Sequence, residues 1–63
     1  MHTYVLQVPK KEELEVLLGE IEDKVTGEIG VRPRGEGGFR VELVLEKPLR
    51  PPLLERLKRY LVE

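Results

Sequence analysis

The segment Phe39-Arg40-Val41-Glu42-Leu43-Val44-Leu45-Glu46 constrains the fold more than any other. Its odd positions are Phe, Val, Leu and Leu, and its even positions are mostly charged. Apolar residues at every second position mark a strand that buries one face. Gly35-Glu36-Gly37-Gly38 precedes it, and before that stands the weaker alternation Glu28-Ile29-Gly30-Val31-Arg32-Pro33-Arg34. The two read as a β-hairpin with strands over 28–34 and 38–46. Ile29 and Val31 then join Phe39, Val41, Leu43 and Leu45 on the inner face. A sheet buried on one side needs a second layer, so the rest of the chain has to supply apolar stripes that pack there.

Those stripes are present. Thr3-Tyr4-Val5-Leu6-Gln7-Val8 is rich in strand-forming residues and alternates, which predicts a strand over 3–8 with Tyr4, Leu6 and Val8 inward. Pro9 ends it, and Glu12 and Glu13 suit the positive end of a helix dipole. Leu14, Leu17, Leu18, Ile21 and Val25 fall on one helical stripe, which predicts a helix over 10–25 stopped near Gly27. Glu20 and Lys24 are spaced to pair along it. Lys47-Pro48-Leu49-Arg50-Pro51-Pro52 is extended, because each proline biases the residue before it away from helix. Leu53, Leu54, Leu57, Tyr60 and Leu61 then predict a second helix over 51–62.

The order is β-α-β-β-α. Two amphipathic helices on one face of a three-stranded antiparallel sheet give a two-layer α+β sandwich. A right-handed crossover from the first strand to the second leaves the place between them to the third, so the expected sheet order is 1-3-2. This arrangement resembles a ferredoxin-like topology lacking its last strand. The resemblance implies that the absent strand would lie beside the first, leaving that edge bare. Residues 1–63 read as one α+β domain.

A chain of 63 residues buries only about 60% of its unfolded surface, so it folds near the margin. Disulfides and thiolate metal sites are closed to it, because it has no Cys. Association is the remaining route to extra stability. A content of 40% hydrophobic against 37% charged residues is that of a globular rather than a disordered chain. No apolar run approaches the ~18 residues of a membrane span. With no basic, then apolar, then small-residue pattern at the N-terminus, the expectation is a cytoplasmic protein with no membrane partner. Abundant Glu, Lys and Arg with no Ser, Asn or Cys is a thermophile's bias. Charge is uneven: residues 1–30 carry three Lys against seven acids, and residues 31–63 carry eight Lys or Arg against five Glu.

Catalytic chemistry finds few components. The hydroxyls are Thr3, Thr26, Tyr4 and Tyr60, and the sole imidazole is His2. On a strand His2 and Thr3 face opposite ways, so they cannot act as nucleophile and base. Glu12, Glu15 and Glu22 could gather a cation loosely, but they read as a solvated helix face. The glycine-rich Arg34–Gly38 loop, with Glu36 in its middle, leads into a strand. A phosphate cradle leads into a helix. Pro48-Leu49-Arg50-Pro51 matches a proline-rich ligand but is better explained as a connection into a helix. The expectation is a non-enzymatic protein with no cofactor.

Two binding readings remain. The first strand carries no charge, proline or glycine along Thr3–Val8, the residues that usually protect an exposed edge, whereas Arg32, Pro33 and Arg34 protect the second. The chain is therefore expected to form a homodimer through a first-strand edge comprising Tyr4, Val5 and Leu6. Val44, on the same polar face as Val5, would add an apolar contact. The alternative is nucleic-acid binding by Arg32, Arg34 and Arg40 of the hairpin, since the guanidinium fork suits phosphate. Against it stand Glu28, Glu42 and Glu46 on the same face, a pI near 5.9, and the absence from that face of an aromatic for base stacking.

Overall fold

A computed structural model describes residues 1–35 and 37–62; Glu36 and Glu63 lie outside the described residues. The elements are β1 (His2–Val8), α1 (Lys11–Ile21), β2 (Gly27–Pro33), β3 (Phe39–Leu45) and α2 (Pro51–Leu57). A 3-10 turn over Lys58–Tyr60 follows. The sheet order is β1-β3-β2, with β3 antiparallel to both neighbours. The strand with the strongest alternation is thus the central one, paired on both sides.

The inner face of the sheet and the helices share one core. Leu6, Val8, Val41, Leu43 and Leu45 pack in a single cluster with Leu14, Leu17 and Ile21 of α1 and Leu53 and Leu57 of α2. Phe39 is half-buried at its margin. Cross-strand rows set this arrangement. Tyr4, Leu43 and Ile29 stand side by side, as do Leu6, Val41 and Val31. The cover is uneven, because the two helices fill the space over β1 and β3 more than that over β2. Ile29 is only half-buried, and Val31 faces inward yet is 39% exposed.

Both helices are shorter than their stripes. In α1 the last helical bond runs from the Glu22 amide to the Leu18 carbonyl at 3.0 Å, and the Lys24 amide then turns tighter, donating to Ile21 O at 3.0 Å. Val25 packs against the core from outside the helix. A helical stripe reports which side chains are buried, and a turn can bury the last of them equally well. Glu20 does not pair along its own helix but reaches Arg56 of α2, Oε1 to Nη1 at 3.2 Å. Gly19 has no atom within 4 Å of where a Cβ would stand, which makes it a surface glycine with no packing role.

The C-terminal segment departs furthest from expectation. After the 3-10 turn, Leu61 becomes extended and forms an antiparallel bridge with Leu6. The Val62 amide donates to Val5 O at 3.0 Å. The β1 edge expected to be bare is therefore capped along part of its length, at the place where the fourth strand of the resembled topology would run.

Candidate functional site

Three surfaces carry features that the core does not explain: the outer edge of β1, the uncovered face of the sheet, and a cleft at one end of the helices. The bond from Val62 fixes the direction of the β1 backbone. Residue 5 aims its polar groups away from β3, and by alternation Thr3 and Gln7 do the same. The outward groups of Thr3 have no backbone partner among the described residues. Of the four expected dimer-edge residues, Tyr4 and Leu6 turn their side chains into the core. Leu6 is fully buried, and the Tyr4 hydroxyl accepts the Leu49 amide at 3.1 Å. Val5 and Val44 lie on the outer face, Val44 opposite Thr3 and one row from Val5. By the same register Val62, 43% exposed, falls beside Val5 on that face. Three valines thus adjoin the partly capped edge.

The uncovered face also carries the arginines. Arg32 stands directly opposite Arg40, and Arg40 opposite Gln7. Arg34 donates from Nη1 to Gln7 Oε1 at 2.9 Å, so the structure brings all three expected arginines to the hairpin end of one face. Arg40 donates to Glu42 Oε1 at 3.3 Å through Nε, and its guanidinium keeps further donors. The loop that sets Arg34 is a tight turn: the Arg34 amide donates to Gly38 O at 3.0 Å and the Gly37 amide to Arg34 O at 3.1 Å. Gly38 has φ +81°, and a Cβ there would stand 2.9 Å from Val8 O. Only glycine allows the loop to close on β1 in this way.

The cleft was not anticipated. It has a volume of about 600 Å³ and lies between the Asp23–Thr26 turn, the Lys47–Arg50 connection and the start of α2. Lys24, Lys47, Arg50 and Arg56 line it with one acid, Asp23. Two hydrogen bonds hold its walls together. The Glu46 amide donates to Thr26 O at 3.0 Å, and the Leu49 amide is tied to Tyr4. Leu49 is 7% exposed, so the proline-rich segment is anchored in the core rather than offered as a ligand. Lys24 and Lys47 are distant in sequence, and only the hairpin register, which sets Gly27 opposite Leu45, brings their neighbourhoods together.

His2 and Thr3 occupy opposite faces of β1, on the rows of Leu45 and Val44. Among the described residues no three acidic or imidazole side chains are placed to share a metal ion, and no helix is long and apolar enough to cross a membrane. No family model, curated protein or solved structure matches the chain.

Proposed function

We propose that this chain is a small non-enzymatic interaction module of the cytoplasm, in a thermophile, that forms a homodimer through the β1 side of its sheet. One observation carries the reading: an edge capped, among the described residues, only beside Val5 and Leu6 adjoins the exposed Val62 and the half-buried Val44, with Val5 buried between them. Edge amides and carbonyls invite another strand, and apolar surface beside them gives that strand something to cover. A two-fold axis would bring the same edge and the same valines of two copies together, as symmetric dimers require. The thin core of so short a chain adds a reason for association.

Light scattering after gel filtration tests it. The wild type is expected at twice its 7.3 kDa mass, at tens of micromolar protein. Val5→Pro removes an outward amide while sparing the bonds to β3, since proline is tolerated on an edge whose N–H faces away from the sheet. That variant, and Val44→Asp on the outer face, are both expected to run as monomers. A monomeric wild type would end the reading, and a dimer indifferent to both variants would take the contact away from β1.

The opposed arginines support a second reading, in which the hairpin end binds nucleic-acid phosphates. Like charges directly across a sheet cost about 0.2–1 kcal/mol, and a polyanion would turn that cost into attraction. Retention on heparin at low salt should then disappear when Arg32, Arg34 and Arg40 are all changed to Ala. No retention of the wild type would remove this reading.

A further inference from the structure

We propose that the cleft beside the Lys47–Arg50 connection binds a small organic phosphate. Four cations against one acid face the same concavity, an excess that neither the fold nor the dimer reading uses. Among the described residues only Arg56 of the four is in an ion pair, with Glu20, and its guanidinium keeps further donors. Lys24, Lys47 and Arg50 are exposed and gathered from two separate segments, so a shared anion would offset a mutual repulsion that Asp23 alone cannot balance. Guanidinium groups supply paired donors to phosphate oxygens, and lysines add point charge.

Size and lining narrow the ligand. About 600 Å³ is in the range of small-molecule sites, and more room than an inorganic anion needs. Between the cations the wall is apolar, formed by Val25, Pro48, Pro52 and Leu53. A molecule with a phosphate at one end and a compact organic body at the other satisfies both parts of the wall. The cleft presents no aromatic ring, so base stacking contributes nothing. A long nucleic acid would gain nothing from so short a concavity. The walls are already fixed by the Thr26–Glu46 and Tyr4–Leu49 hydrogen bonds, which lowers the ordering cost of binding.

Backbone amide NMR shifts tested with AMP, inorganic phosphate and a 20-residue oligothymidylate give the reading. AMP is expected to produce saturable shifts at Lys24, Thr26, Lys47, Leu49 and Arg50, with phosphate acting at the same amides more weakly. The Lys47→Ala, Arg50→Ala double variant changes only exposed side chains, and an unchanged spectrum without ligand will show that it folds. Its affinity for AMP should fall at least tenfold, while Arg32→Ala should leave that affinity unchanged. Absence of saturable shifts with AMP, shifts that persist in the double variant, or tighter binding of the oligonucleotide centred on Arg32 and Arg40 would each overturn the proposal. None of these results depends on whether the chain is a dimer.

Discussion

Leu43→Ala should lower the unfolding free energy by about 2–5 kcal/mol, the largest loss expected of any single truncation on the sheet. Leu43 sits at the middle of the central strand, flanked by Tyr4 on one side and Ile29 on the other, with no exposed surface. Truncating a buried leucine to alanine costs about 2–5 kcal/mol, part lost transfer energy and part the cavity left behind. Domains have about 0.05–0.15 kcal/mol of stability per residue, which for this chain is roughly 3–9 kcal/mol in total. One substitution therefore removes at least about a fifth of the stability, and more than half at the middle of both ranges. Val44→Ala, one residue along, is the control. Its side chain is half-buried on the outer face, so its loss should cost less than about 1 kcal/mol. Urea unfolding followed by circular dichroism measures both, at two protein concentrations because association raises apparent stability. Equal costs for the two variants would contradict the assignment of faces.

That contrast was legible in the sequence, because a period of two assigns a side to every residue of a strand. Strands expected over 3–8, 28–34 and 38–46 are found over 2–8, 27–33 and 39–45, in the expected order 1-3-2. The helices expected over 10–25 and 51–62 stop at Ile21 and Leu57, because Val25 and Leu61 reach the interior from a turn and from a bridge. Apolar spacing cannot distinguish these from continued helix. The fate of Leu61 and Val62 was hidden for a related reason: two residues are too few to show any period. Ile29 and Val31 were read to the correct face, but no pattern within β2 says how far the helices extend over it.

The candidate sites divide in the same way. Arg32, Arg34 and Arg40 could be gathered from the sequence because alternation and one hairpin turn place them. The role of Gln7 in holding Arg34 could not, since it needs the β1–β3 register that sets Gln7 opposite Arg40. The cleft is further from legibility. Its cations come from the turn after α1, the connection after β3 and α2, and each alone looks like an ordinary surface charge. Only the antiparallel pairing of β2 with β3 brings residues 23–26 against residues 47–50.

Gly27, where that pairing begins, is the position at which one added methyl group should do the most damage to fold and cleft together. Its φ is +151°, a conformation that L side chains rarely adopt. A Cβ built there would collide with the Val44 carbonyl oxygen and stand 2.8 Å from Leu45 Cα. Both obstacles are backbone of the central strand, so no side chain can swing aside to relieve them. Strained backbone costs about 1–3 kcal/mol and overpacking a similar amount. The sum rivals the stability of the whole domain. A loss of 1 kcal/mol lowers the melting temperature of a domain this size by about 4–8 °C, so Gly27→Ala should melt more than about 10 °C below wild type. Gly30→Ala, on the same strand with nothing within 4 Å of its Cβ, should melt within a few degrees of wild type. The damage should also spread to the cleft. Moving β2 away from Val44 pulls on the Thr26–Glu46 hydrogen bond one residue along, and with it the distance between Lys24 and Lys47. Amide shifts at residues 24–26 and 46–49 should therefore move in whatever folded fraction of Gly27→Ala remains, and stay in place in Gly30→Ala. Equal melting temperatures for the two variants would show that β2 does not approach β3 as closely as described, and the cleft would lose the wall that defines it.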